Sequence, residues 1–198
     1  MRSALAVAVL LACGVAAADP IDAEYLRYHP RETGMWLDLG ALWERVDPGN
    51  GEGYAGKLVH FAPHVMLNRS LYLGGEVEIG TITGTSAQVL ARGAGTMQPI
   101  DPSVHGSLAA IKAVIGMRAR AGMVTGGAEL AAGMRHASLE DAMNVEITGV
   151  ADKGIVEAHG RLDVWVSRAI SIGALAGIDL FDSTNVMVGF DLGLHYEP

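Results

Sequence analysis

Eight segments of this chain alternate apolar and polar residues with a period of two, and this pattern limits the possible folds more than any other feature. The segments span residues 35–44, 59–67, 71–80, 109–120, 124–135, 156–166, 170–181 and 186–196. A period of two is the signature of a β-strand with two unlike faces. Here one face is almost purely aliphatic and the other carries the charges. The aliphatic stretches approach the roughly 9 to 11 residues with which a tilted strand crosses a bilayer.

The connections between these segments alternate in length. Short connections are predicted at 68–70, 121–122 and 167–168, and longer ones at 48–56, 84–107 and 137–154, with a tight final turn at 182–184. Short turns on one rim and long loops on the other are typical of transmembrane β-barrels. The sequence therefore predicts an all-β fold, an eight-stranded antiparallel up-and-down transmembrane β-barrel.

The short turns also predict the register of three hairpins. A two-residue turn at Ala121–Gly122, and hairpins centred on Arg69 and Arg168, bring polar faces together. The predicted opposite pairs are Arg118 with Thr125, His60 with Glu78, Ala62 with Glu76, and Asp163 with Gly173. No residue of the aliphatic face is forced onto the charged face.

The first residues are typical of a secretory signal peptide. Arg2 precedes an apolar stretch, and Ala16-Ala17-Ala18 forms a small-residue cleavage site before Asp19. We expect a signal peptide over 1–18, a periplasmic lead-in over 19–33 and a barrel over 34–198. The alternative is lipidation at Cys13 within a lipobox-like sequence. Cleavage after Ala18 would leave no cysteine in the mature chain, which would exclude disulfides and cysteine metal sites.

Composition narrows the function classes. A chain of 198 residues suits one domain, and the net charge of −8 argues against nucleic acid, whose binding needs clustered cations. No cofactor-binding or phosphate-binding motif stands in the loops, so no cofactor is expected.

From residue 34 to Tyr196 the chain resembles the small eight-stranded outer-membrane barrels of the OmpA and OmpX kind in Gram-negative bacteria. The last strand, with Val188, Phe190, Leu192, Leu194 and Tyr196 on one face, is similar to the C-terminal assembly signal of such barrels, although Glu197 and Pro198 follow it. The resemblance implies a cell outer-membrane location, contact with outer-membrane lipid, recognition of the last strand by the barrel-assembly machinery, and a monomer. A structural or surface-contact role is the function expected.

The inner face of such a barrel would be filled with charged side chains. Its acids are Asp38, Glu44, Glu76, Glu78, Glu129, Glu157, Asp163, Asp179 and Asp191, and its bases are Lys112, Arg118, Arg120, Arg135 and Arg161. An eight-stranded barrel is only wide enough for side chains to fill it. We therefore expect a paired charge network that plugs the lumen. The network is assigned to Glu76, Glu78, Lys112, Arg118, Glu129, Arg161, Asp163 and Asp191.

Three other functions compete with this interpretation. One is a porin-like narrow channel for small solutes, and another is a soluble periplasmic barrel that carries a ligand, with the aliphatic face inside. The third is an enzyme: His136-Ala137-Ser138 is similar to the His-x-Ser of lipid A deacylases, eight-stranded barrels with an outward Ser-His-acid site. No Glu stands at the matching distance downstream of Ser138.

A metal site is not expected on the inner face. His60 and His64 point the same way but stand about 13 Å apart along a strand, which is too far to share one ion.

Overall fold

The computed structural model describes residues 34–68, 70–93, 101–150, 152–167, 169–182 and 184–196. Within them lie β1 (Met35–Val46), β2 (Tyr54–Met66), β3 (Leu71–Thr85), α1 (Ala87–Gly93), β4 (Ser103–Ala121), β5 (Val124–Asp141), β6 (Lys153–Trp165), β7 (Ile170–Asp179) and β8 (Val186–Tyr196). The expected signal peptide with Cys13, the lead-in over 19–33, the turn centres Arg69 and Arg168, and Glu197 and Pro198 lie outside the described residues.

Each strand pairs antiparallel with the next, and β8 pairs with β1, so the sheet closes into a barrel. Closure joins the two ends of the described chain, because Met35 lies opposite Tyr196. The predicted eight-stranded up-and-down barrel is confirmed. A closed sheet has no free edge strand, since every backbone ladder has a neighbour.

The aliphatic face of the strands is the outer surface of the barrel. Ile111, Ile115 and Ile172 are 64%, 46% and 54% exposed, whereas Lys112, between the first two, is 3% exposed. Charged side chains therefore fill the interior, and apolar side chains cover the outer surface. The alternative of a soluble barrel with the aliphatic face inside is wrong for this chain.

Two predicted registers are confirmed and one is wrong. His60 lies opposite Glu78 and Asp163 opposite Gly173. The ladder keeps its register past Pro63, which has no N–H to donate, and this places Ala62 level with Glu76.

The β4–β5 hairpin differs from the prediction by two residues: Arg118 lies opposite Gly127, not Thr125. The turn is Gly122–Met123, with Gly122 at φ 63°. The first central residue of a two-residue hairpin turn takes a positive φ, which glycine adopts at little cost and alanine does not.

The two rims differ as the connection lengths predicted, but the strands reach further than expected. The short rim has connections at 67–70, 122–123 and 166–169, and the long rim has 47–53, 86–102, 142–152 and 180–185. Both ends of each expected loop, 84–107 and 137–154, are strand, and the final connection is not a tight turn. Outward polar residues such as Thr83 and His105 interrupt the aliphatic pattern without interrupting backbone pairing.

The long rim is folded back over the barrel. Val89 of α1 and Ile147 of the β5–β6 connection are buried with Leu42, Leu108 and Met187.

Among the described residues, no helix combines the length and apolar character needed to cross a bilayer.

Candidate functional site

The lumen is built in three layers, which follow from the inward residues of each strand. The upper apolar layer, at the long rim, contains Leu42, Val46, Tyr54, Leu58, Ile82, Val89, Val104, Leu108, Ala137, Leu139, Ile147, Leu175 and Met187. The charged layer lies below it around Arg135, Lys112 and Arg161. The lower aromatic layer, at the short rim, contains Trp36, His64, Tyr72, Trp165 and His195.

Arg161 is the centre of the lower half of the charged layer. Its guanidinium lies 2.8 Å from Asp38, 2.9 Å from Glu129, 3.3 Å from Asp163 and 3.6 Å from Asp191. These acids come from β1, β5, β6 and β8, so one cation connects four strands. All five side chains are almost fully buried. A cation with several bonded carboxylates can be held in such a site, whereas an unpaired charge there would be costly.

Lys112 is the centre of the upper half. Its Nζ lies 2.6 Å from both Glu78 and Glu157 and 3.6 Å from Glu76. Arg135 donates to Glu157 at 2.8 Å and also to Glu44. Glu157 therefore connects the two cations.

His159 joins the two halves. Its Nε2 lies 3.2 Å from Glu157 and its Nδ1 lies 3.6 Å from Glu129. The polar contacts thus run without a break from Arg135 near the upper apolar layer to Arg161 above the lower aromatic layer. Histidine was not included in the predicted network, although the inward position of His159 follows from the same alternation.

Glycines on the inner face give these side chains their room. At Gly173 an added Cβ would meet the carboxylates of Asp163 and Asp191, and at Gly116 it would meet the Tyr72 ring. Tyr72 uses that space to donate a 2.6 Å hydrogen bond to Glu129.

The structure brings seven of the eight predicted network residues into the two charged clusters. Glu76, Glu78 and Lys112 lie together, and Glu129, Arg161, Asp163 and Asp191 lie together. Arg118 is placed elsewhere, with its guanidinium 4.1 Å from the centre of the Trp36 ring. Asp38, Glu44, Glu157 and Arg135 take part through contacts across the lumen, which strand alternation does not reveal.

The two histidines considered for metal binding each lie against a separate carboxylate. His60 is 3.2 Å from Glu76, and His64 is 3.2 Å from Asp38. In the described ranges, no three His, Cys, Asp or Glu side chains are grouped so as to hold a metal ion.

A second polar group lies on the outside of the barrel near the long rim. His136 and Ser138 lie on β5 with exposed side chains, although the sequence places Ser138 within the expected loop 137–154. His136 Nδ1 lies 2.6 Å from Asp152, and Ser138 Oγ lies 2.9 Å from Ser107 Oγ. Asp152 is the acid that the sequence did not reveal, because its position depends on the fold of the β5–β6 connection.

No known protein family model matches the sequence, and no curated protein sequence matches it. Solved structures do share its fold. Neisserial surface protein A (NspA) is 9% identical, with a TM-score of 0.54, and the match covers 83% of this chain and 98% of NspA. Ail, the attachment invasion locus protein of Yersinia pestis, is 14% identical, with a TM-score of 0.52 and the same coverage. A second Ail structure, in complex with the heparin analogue sucrose octasulfate, has a TM-score of 0.50 at 13% identity over the same shares of the two chains. The chain therefore has the closed eight-stranded barrel fold of the small bacterial outer-membrane proteins.

Proposed function

We propose that this chain is an integral outer-membrane barrel with a closed lumen, acting as a structural or surface-contact protein. The observation that carries the proposal is the inverted distribution of side chains, with aliphatic residues exposed around the barrel and charges buried inside. An exposed apolar surface of this extent needs a partner, and a bilayer covers a complete ring of it.

The lumen side chains support closure. The upper apolar layer seals one end, the charged layer fills the middle, and the stacked rings of Trp36, His64 and His195 occupy the lower end. Water and ions would have to displace buried ion pairs to pass. We infer a plugged barrel, and a narrow channel is the alternative outcome of a conductance measurement.

Three partner assignments follow from a membrane location. Outer-membrane lipid would cover the aliphatic face. The barrel-assembly machinery would recognise the last strand, which ends at the outward Tyr196. Closure of the sheet within one chain is compatible with a monomer. Ail is named the attachment invasion locus protein, and a surface-contact role for this chain is consistent with sharing its fold.

Cell fractionation tests the location. The chain should sediment with outer membranes and need detergent for extraction. Purified protein that stays monomeric and folded without detergent would overturn the membrane assignment. In planar bilayers the wild type should show little steady conductance. Large and stable open channels would favour the narrow solute channel over the plugged barrel.

A second candidate function is hydrolysis of a lipid ester, and the contact between His136 and Asp152 favours it. A carboxylate on Nδ1 orients the imidazole and leaves Nε2 to act as a base towards a serine. Ser138 lies two residues along the same face, and its hydroxyl bonds to Ser107. Activity would require Ser138 Oγ to turn from Ser107 to His136.

Release of fatty acid from purified lipid A, followed by mass spectrometry, tests this candidate. Ser138→Ala and Asp152→Asn should abolish or greatly reduce release, while Ser107→Ala should preserve it by freeing Ser138. A wild type that releases no fatty acid would dismiss the hydrolase and leave the proposed membrane barrel intact.

A further inference from the structure

The outer surface of the β1–β2 hairpin carries two exposed cations at the upper end of the aliphatic face. They are Arg45 and Lys57, and Trp43 lies directly opposite Lys57. In the part of the chain that the structure describes, neither cation has an ion-pair partner. The acids of the adjoining connection are otherwise engaged: Asp47 accepts from the backbone of Gly49 and Gly51.

Glu52, the other acid of this connection, is also occupied. It accepts a hydrogen bond from Tyr54 Oη at 2.5 Å and one from the Ala87 backbone at 2.8 Å. In the described ranges neither acid of this connection forms an ion pair with Arg45 or Lys57, so both cations remain available to an external anion. Unlike these, Lys153, another cation of the long rim, lies 3.6 Å from Asp182.

An open apolar groove of about 450 Å³ lies on the same outer face, one outward position below Lys57. Its exposed lining side chains are Leu39, Val59, Phe61, Val77 and Ile79. The register places Val59 and Ile79 one outward position below Lys57 and Thr81. The upper end of the groove therefore lies next to Lys57, and Arg45 stands diagonally one outward position further up, with its guanidinium against Gly53.

We infer that this groove and the two cations form a binding site for a single phosphorylated lipid. The phosphate would lie between Arg45 and Lys57, with the Thr81 hydroxyl within the same polar row, and one acyl chain would lie along the groove. Arg and Lys are suited to phosphate, and the apolar lining is suited to hydrocarbon. The inference rests on the proposed membrane location, because only then do lipids surround this face.

Fluorescence quenching by brominated lipids tests the site. The chain has three tryptophans, and Trp36 and Trp165 are buried in the lumen, so Trp43 reports on the outer surface. The barrel is refolded into phosphatidylcholine vesicles that contain a small, equal fraction of either brominated phosphatidylcholine or brominated phosphatidic acid. Trp43→Phe gives the lumen background.

The expected result is stronger quenching of Trp43 by brominated phosphatidic acid than by brominated phosphatidylcholine. A cation near an anionic lipid contributes about fivefold in binding. Arg45→Gln with Lys57→Gln removes two such contributions and should therefore reduce the preference by about 25-fold. Lys153→Gln, which removes a rim cation away from the groove, should leave the preference unchanged.

A groove variant tests the acyl-chain half of the site. Val77→Phe narrows the groove and leaves both cations in place, so it should also reduce the preference for phosphatidic acid. An unchanged preference in Val77→Phe would overturn the role of the groove. Equal quenching by the two lipids in the wild type would overturn the whole site, whereas absence of quenching by either lipid would instead overturn the membrane location itself.

Discussion

At the scale of single residues, the sequence predicts which side chains face inward but not which of them meet. Alternation places Asp38, Glu129 and Arg161 on the inner face. Their contact depends on the diameter of the barrel and on the stagger of its strands, because Asp38 and Arg161 approach across the lumen from β1 and β6. Those quantities are properties of the closed sheet, and no short stretch of sequence contains them.

The contacts of Arg161 lead to a prediction about stability. Arg161→Met removes the cation that holds four buried carboxylates, and uncompensated buried charge of this kind costs about 3 to 5 kcal/mol. The free energy of unfolding, measured by urea titration of the barrel in lipid or detergent, should fall by that amount. Arg161→Lys keeps the charge and should lose less. An unchanged unfolding midpoint in Arg161→Met would show that the cluster is not paired as described.

Glu52 predicts a pH dependence at the long rim. Although desolvation acts to raise its pKa, hydrogen bonds from Tyr54, Ser86 and the Ala87 backbone hold the pKa of Glu52 below the ordinary value of 4.5. Because the folded pKa is below the unfolded one, its stabilisation is present above pH 4.5 and is lost as pH falls through the folded pKa.

Hydrogen exchange at the Ala87 amide measures this effect. Its protection factor should fall as the pH is lowered below the unfolded pKa of Glu52. In Glu52→Gln the protection should be lower at neutral pH and nearly independent of pH. Equal protection factors at the Ala87 amide in wild type and variant at neutral pH would mean that Glu52 does not stabilise the start of α1.

At the scale of elements, the number and direction of the strands could be predicted, whereas their ends could not. The aliphatic alternation stops at Ile79 on β3, but pairing continues to Thr85 because backbone hydrogen bonds do not need apolar side chains. The β4–β5 register shows the second limit: it was decided by which residue could take a positive φ at Gly122. Hydrophobic pattern alone defines the face of a strand, and turn chemistry defines its register.

The outer face gives the prediction for the strands. Ile115→Arg on β4 or Ile172→Arg on β7 should each lower the free energy of unfolding in lipid bilayers by about 2 to 4 kcal/mol, because both would place charge in hydrocarbon. Thr81→Arg lies on the same face beyond the aliphatic stretch and should cost much less. If both isoleucine variants folded into bilayers as stably as wild type, the aliphatic face would not contact lipid.

At the scale of the whole molecule, the even strand number places both described ends at the short rim. In an outer membrane this rim would face the periplasm and the long rim would face outward. Protease added to intact cells should therefore cut within 47–53, 86–102 or 142–152. Cleavage only at the short connections 67–70 or 166–169 would reverse the orientation.

Closure of the lumen gives a second prediction for the whole barrel. Arg161→Met should raise conductance above the low level expected of the wild type, because acids that lose their cation admit water. The leak should select cations, since the remaining acids Asp38, Glu129, Asp163 and Asp191 carry the charge of the opened region. A variant with conductance as low as that of the wild type would mean that the upper apolar and lower aromatic layers close the lumen without Arg161.

The contacts across the lumen also act mechanically. Glu44 and Arg135 join β1 to β5, Asp38 and Arg161 join β1 to β6, and Lys112 and Glu157 join β4 to β6. Backbone hydrogen bonds fix the circumference of a closed sheet, but a ring of fixed circumference can still flatten into an ellipse. Ion pairs that connect strands across the lumen in several directions resist such flattening. The charged layer therefore resists a change of cross-section when the surroundings press on the barrel from one side.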